Sequence, residues 1–278
     1  MDYTNELIDI AINEDIGDGD HTSLSCIPND AKGKAQLLVK ENCIIAGVDL
    51  AADIFKKIDS NLIFKKLVND GELVSAGDII FTIEGSSQAI LQAERLVLNF
   101  MQRMSGIASN TNRYVKLLDG LNTKILDTRK TTPGLRTIEK LAVKIGGGEN
   151  HRIGLYDMIM IKDNHVDYAG GIEAAITSTK KYLSKNNKDL KIEVEARNLN
   201  ELNEILAVGG INRIMLDNFS FEDMRTAVKL IDKKYETEAS GGITFETLRE
   251  YAECGVDFIS VGALTHQINS IDLSLKAI

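Results

Sequence analysis

The sequence has no tryptophan, only two prolines and three cysteines, and no apolar run near the length of a membrane span. Each scarcity excludes something. Two prolines leave no room for Pro-rich linkers or low-complexity tails. A bilayer span needs roughly 18 apolar residues in succession, and no stretch approaches that. The opening Met1-Asp2-Tyr3-Thr4 has neither the basic nor the apolar region of a secretory signal. Cys26, Cys43 and Cys254 are odd in number and far apart, with no C-x-x-C spacing. They read as reduced thiols, not as a disulfide framework or zinc site, and set the expectation of a cytoplasmic protein.

What is present fits an enzyme. The 278 residues suffice for one large domain or two unequal ones, and 44% apolar with 26% charged residues is an ordinary globular balance. The net charge of −9 disfavours binding to a nucleic-acid backbone. Against that background a local gathering of cations needs a local reason. Arg129, Lys130, His151, Arg152 and Lys162 all fall between Asp127 and His165. Arginine grips carboxylates and phosphates with two parallel bonds, and lysine supplies a mobile point charge, so the stretch is expected to hold a small polyanion. Taken singly, Lys130 or Arg136 reads as a solvated surface charge and His151 equally as a core histidine.

From residue 123 onward one pattern repeats: a short apolar run ends in a polar or glycine residue, and an amphipathic segment follows. The runs are Thr123–Leu126, Met158–Ile161, Lys191–Val194, Arg213–Leu216, Thr237–Ala239 and Asp257–Val261. They end at Asp127, Lys162, Glu195, Asp217, Ser240 and Gly262; the last four are 22, 23 and 22 residues apart, one strand plus one helix. Alternating strands and helices imply a parallel sheet, and six or more such strands favour a barrel, whose active site lies at the carboxyl ends of the strands. Gly146-Gly147-Gly148 is followed by Glu149-Asn150-His151-Arg152, which breaks the dinucleotide fingerprint.

Two late loops, Ser240-Gly241-Gly242-Ile243 and Val261-Gly262-Ala263-Leu264-Thr265, have the composition of a phosphate cradle, built from backbone N–H groups and a helix N-terminus. Simple tight turns would account for the same glycines. Glu195 and Asp217, on adjacent strands, are a carboxylate pair able to take Mg²⁺ or sugar hydroxyls. Asp15–Asp20 lacks the EF-hand spacing and reads as a turn.

Residues 1–105 differ. Lys34–Lys40 and Ile44–Ala46 read as strands, Leu50–Ile58 as a helix, and Gln88–Ser105 as a long helix with Ile90, Leu91, Leu98 and Met101 as core positions. The phrase Asp70–Asp78 is similar to lipoyl- and biotin-carrier domains, but the nearest expected hairpin tip, Gly85-Ser86-Ser87, has no lysine, so a carrier role is rejected.

The chain resembles the quinolinate phosphoribosyltransferases, also called nicotinate-nucleotide pyrophosphorylases. The matching phrases are EDIGDGDHT (14–22), ERLVLNFMQRMSGIA (94–108), DTRKTTPGLR (127–136), GGGENHR (146–152) and MIMIKDNH (158–165). Asp217-Asn218, Ser240–Ile243 and Val261–His266 follow in order. The resemblance implies an α/β architecture: an N-terminal α/β sandwich over 1–105 and an open seven-stranded TIM-like α/β barrel over 106–278, of the type II phosphoribosyltransferase kind. The C-terminal tail is expected to return to the N-terminal domain. It implies a decarboxylating pentosyltransferase joining quinolinate to phosphoribosyl pyrophosphate, with Mg²⁺ as cofactor and a homodimer or higher oligomer as the assembly.

By the same resemblance, Arg103, Arg129, His151, Arg152 and Lys162 would hold quinolinate, with Arg103 entering a neighbouring subunit's site. Lys130, Glu195, Asp217, Ser240, Gly241, Gly242, Val261, Gly262 and Ala263 would surround the phosphoribosyl group, and Thr128 would also bind substrate. Lys130, Lys162, Glu195 and Asp217 would act in catalysis, with Glu195 and Asp217 on the metal directly or through water. A paralogue from molybdate-transport operons shares the TRK and GGG-HR phrases but resembles this chain least at Lys162–His165. A nicotinate phosphoribosyltransferase would need fewer cations. A non-catalytic anion- or nucleotide-binding barrel is disfavoured because the residues for both substrate halves are intact.

Overall fold

The computed structural model describes residues 3–278. In chain order its first elements are α1 (Thr4–Ile16), α2 (His21–Cys26), β1 (Lys32–Val39), β2 (Cys43–Ile44), α3 (Val48–Ile58), β3 (Ile63–Lys66), β4 (Leu73–Val74), β5 (Ile79–Ser86) and the 30-residue α4 (Ser87–Lys116). There follow β6 (Lys124–Leu126), α5 (Arg136–Ile145), β7 (Ile159–Ile161), α6 (Asp163–Ala169), α7 (Ile172–Lys185), β8 (Ile192–Ala196), α8 (Leu199–Val208) and β9 (Arg213–Asp217). The last are α9 (Phe221–Ile231), β10 (Glu236–Ser240), α10 (Leu248–Glu253), β11 (Phe258–Ser260), α11 (Ala263–His266) and β12 (Leu273–Ala277).

The chain divides into two compact units. One takes the chain through Arg113, with Lys130–Gly148 and Ala263–Ile278; the other takes Tyr114–Arg129 and Glu149–Gly262. In the first, β12, β1, β5 and β3 form an antiparallel sheet in that order. Leu37 and Val39 on β1 and Leu273 and Leu275 on β12 alternate with less buried neighbours and bury one face, as the two-residue period of a strand dictates. Phe55 of α3 meets Phe81 of β5 edge to face at 5.8 Å, and Phe64 of β3 completes the cluster.

Three local readings are corrected here. β5 runs directly into α4, so Gly85-Ser86-Ser87 is a strand-to-helix junction and no hairpin tip. β2 stops at Ile44, because the N–H of Ala46 donates to the Ser105 hydroxyl instead of to a strand. On α4, Ile90, Ala93, Val97, Met101, Met104 and Ala108 share the buried stripe at spacings of three and four. Leu91 lies one step, about 100° of rotation, off that stripe and is 44% exposed.

The second unit carries a parallel sheet in the order β6-β11-β10-β9-β8-β7. Apart from β6, neighbours are consecutive in the chain, and the first strand, β6, pairs with the last, β11. A sheet that winds in one direction and returns its first strand to its last is a barrel. A doubly wound dinucleotide sheet reverses its order in the middle. All six expected runs are strands. The seventh is reduced to one residue: Glu149 bridges Leu126 on the free side of β6, with its N–H on Ile125 O at 2.8 Å. The barrel is therefore open between β6 and β7. Among the described residues no helix is long and apolar enough to cross a membrane.

Candidate active site

Parallel register brings the strand ends together. Ser240 of β10 pairs with Asp217 of β9, and Ile161 of β7 with Val194 of β8. One residue beyond the latter pair stand Lys162 and Glu195, and Lys162 Nζ lies 3.4 Å from Glu195 Oε2. Lys162 is held from behind, its N–H donating to His165 Nδ1 at 2.9 Å as α6 begins. Its side chain remains 46% exposed, whereas that of Glu195 is 7% exposed. Burial raises the Glu195 pKa; the nearby Lys162 opposes that rise, and the charge of Asp217 adds to it. Two carboxylates on adjacent strand ends make a place for a cation. Their hard oxygen donors fit Mg²⁺.

Asp217 is oriented by its neighbour. Asn218 adopts φ +55°, and its side-chain amide donates to Asp217 Oδ2 at 2.6 Å while its N–H donates to Ser240 O. Gly241, at φ +98°, packs against that asparagine: a Cβ there would stand 2.3 Å from Asn218 Oδ1 and 2.8 Å from its backbone nitrogen. Gly241 is thus a packing requirement. Gly242, at φ +57°, faces open space and leaves its backbone open to a ligand. α11, after Gly262, has four residues, so any phosphate cradle here rests on loop N–H groups.

The cationic side starts at Asp127, which is fully buried and accepts from Asn150 Nδ2 at 2.6 Å and His151 N at 2.9 Å. This anchors the segment after Glu149 beside β6. Arg152 then reaches back, its Nη1 donating to Met158 O at 3.1 Å. Its Nε is buried with no acceptor. Burial lowers the Arg152 pKa, and the positive charge of Arg129 lowers it further. Two neighbouring guanidinium groups, one with a buried donor unsatisfied, make a demand for an anion.

His151 is brought to the same region but looks inward. Nε2 lies 3.0 Å from Glu193 Oε2 and 3.3 Å from Glu238 Oε2. Burial alone would lower its pKa; the two carboxylates outweigh this and push it up to about 9. Glu238 also pairs with Arg213 Nη1 at 3.0 Å. The His151–Glu193–Glu238 cluster has the residue types of a metal site. His151 lies against both carboxylates and Arg213 against Glu238, so the cluster is read as an ion-pair network.

Glu193 and Glu238 were missed in the sequence. Strand alternation could have found them, since each lies two residues before an expected site residue, Glu195 and Ser240. Thr128 and Arg129 lie in the loop after β6, and Val261 and Gly262 follow β11, all in this unit. Arg103, Lys130 and Ala263 belong to the first unit. There Lys130 O accepts from Thr265 Oγ1 at 2.8 Å, and Arg103 is held by Glu139.

A parallel α/β barrel whose strand ends carry two arginines, a lysine and paired carboxylates defines an enzyme that works on small anionic substrates. Family models for the N- and C-terminal domains of quinolinate phosphoribosyl transferase match residues 20–105 and 107–276. The chain is 44% identical to quinolinate phosphoribosyltransferase [decarboxylating] 1b of Nicotiana tabacum, over 97% of this chain and 81% of that one. It is 43% identical to the probable nicotinate-nucleotide pyrophosphorylase [carboxylating] of Bacillus subtilis, over 94% and 89% of the two chains. The solved nicotinate-nucleotide pyrophosphorylase of Francisella tularensis superposes with a TM-score of 0.92 at 43% identity, covering 99% of this chain and 96% of its own. The chain belongs to the quinolinate phosphoribosyltransferase family, which is made up of pentosyltransferase enzymes.

Proposed function

We propose that this enzyme joins quinolinate to phosphoribosyl pyrophosphate, releasing pyrophosphate and CO₂ and yielding nicotinate mononucleotide for NAD biosynthesis. The relatives' names support the reaction. The buried, unsatisfied Nε of Arg152 beside the charge of Arg129 is the observation that carries the residue assignment. Arg129, Arg152 and Lys162 hold the dicarboxylate, with His151 behind them on Glu193 and Glu238, and Arg103 supplied by the other copy of a homodimer. Thr128, Lys130, Glu195, Asp217, Ser240–Gly242 and Val261–Ala263 surround the phosphoribosyl group. Glu195 and Asp217 would hold Mg²⁺ directly or through water, and the ion would supply charge neutralisation for the leaving pyrophosphate. A cytoplasmic location is proposed for this chain from its cysteines.

In the reaction the C1′–pyrophosphate bond breaks through an oxocarbenium-like state, and the pyridine nitrogen supplies the electron pair for the new bond. The nitrogen becomes cationic. Its positive charge then stabilises the electron pair left on the adjacent ring carbon as the carboxylate leaves as CO₂, and that carbon takes a proton. Lys130 and Lys162 place positive charge beside the two reacting anions, and Glu195 and Asp217 orient the ribose.

Incubation with quinolinate, phosphoribosyl pyrophosphate and Mg²⁺ tests the reading. CO₂ release that needs all three supports it; turnover of nicotinate with none of quinolinate overturns it.

A further inference from the structure

Arg103 has five N–H bonds to place. Nε and Nη2 both donate to Glu139 Oε1, at 2.9 and 2.5 Å, and Nη2 also donates to Thr132 Oγ1 at 2.7 Å. The other oxygen of Glu139 accepts from Thr132 N at 3.1 Å. One carboxylate therefore fixes the side-on edge of the guanidinium and the loop after Lys130 together. The two hydrogens of Nη1 have no acceptor among the described residues. The geometry is lopsided: Glu139 is fully buried, while the Arg103 side chain is 27% exposed.

Stability is a poor reason for this arrangement. Burying a carboxylate carries a desolvation cost that an ion pair only offsets, and an apolar residue of similar volume stabilises as well or better. What the pair does supply is direction. Arginine alone on a helix samples many rotamers; held on its side-on edge, it presents one end.

We propose that Glu139 is a positioning residue, fixing Arg103 and Thr132 together so that the Nη1 end of Arg103 is presented to a carboxylate of the substrate. This rests on the reading of Arg103 as a quinolinate ligand. Glu139 itself touches no substrate.

The test is steady-state kinetics of the full chain with the two substrates varied separately. Glu139→Met keeps the volume and removes both acceptors. It is expected to raise the quinolinate KM about tenfold, the scale of one charge-assisted bond, with kcat and the phosphoribosyl pyrophosphate KM within about twofold. Glu139→Gln, which keeps one acceptor oxygen for Arg103, is expected to recover most of that loss. Thr132→Val, near-isosteric and at the surface, is expected to raise the quinolinate KM about threefold; it keeps the test open should Glu139→Met not fold. In an Arg103→Lys background, where no side-on edge exists, Glu139→Met is expected to add nothing more.

A native quinolinate KM in the Glu139 and Thr132 variants, with Arg103→Lys impaired, overturns the positioning role alone. Parallel loss of kcat and both KM values, not restored by Glu139→Gln, also overturns it and marks Glu139 as structural. A native quinolinate KM in Arg103→Lys removes Arg103 as a ligand, and the proposal falls with that reading.

Discussion

Nε2 of His151 lies 3.0 Å from Oε2 of Glu193, and both side chains are sealed from solvent. Glu238, 3.3 Å away, adds a second carboxylate, and Arg213 on β9 balances it, with Glu236 on β10 pairing the other side of that arginine. The His151 pKa is raised from 6.5 to about 9, and burial followed by the charge of Glu238 raises that of Glu193 from 4.5 to about 7.

A raised histidine pKa stabilises the fold fully below about pH 6.5, and the gain is lost as pH rises through about 9. Ionisation of Glu193 acts with the same sign between about pH 4.5 and 7. Stability is therefore expected to fall by about 1–3 kcal/mol between pH 6.5 and 9, read by urea denaturation. His151→Asn should flatten that slope. A native profile that is level or rises over this range contradicts the ion-pair reading.

The contrast between the two cradle glycines is the next expectation. Gly241→Ala forces a Cβ against Asn218 and displaces Asp217, costing about 2–4 kcal/mol of stability and at least about tenfold in activity. Gly242→Ala meets only the left-handed backbone cost, about 1–2 kcal/mol. Thermal melting and the KM for phosphoribosyl pyrophosphate check both; a more severe loss at Gly242 would reverse the assignment.

For the metal, Glu195→Gln is expected to lower kcat about a hundredfold and to raise the Mg²⁺ needed for half-maximal rate. Chelation should stop the native enzyme, with Mg²⁺ restoring it. Full activity in excess chelator would remove the carboxylate pair from metal binding.

The two substrate carboxylates are expected to be held unequally. Only interactions that strengthen in the transition state speed a reaction, so a tight pair on the departing carboxylate would slow its loss. In a quinolinate complex the bidentate arginine contact should fall on the carboxylate that stays. Two arginines clamping the one that leaves would sink this idea.

Much of this site is legible in the chain, because strand period and loop composition are local. The strand ends at Lys162, Glu195, Asp217 and Ser240 follow from apolar runs of the right spacing, and parallel register then places Lys162 beside Glu195. Partner choice is not local. Glu139 sits on a helix 36 residues from Arg103, and nothing in either segment names the other. Glu193 and Glu238 read as strand charges until the barrel turns them toward His151. Leu91 looked apolar enough for the core, but helical phase, which the composition of the segment does not reveal, decides its exposure. The seventh strand fails for a similar reason: the chain beside β6 contributes one bridge, at Glu149, before it turns to present His151 and Arg152.

The assignment of the cationic wall is tested most directly by equilibrium binding of quinolinate to the native enzyme and to Arg152→Ala. Removal of this partly buried arginine is expected to weaken binding by about tenfold to a hundredfold, with the melting temperature little changed. An unchanged dissociation constant would take Arg152 out of the pocket and contradict the account.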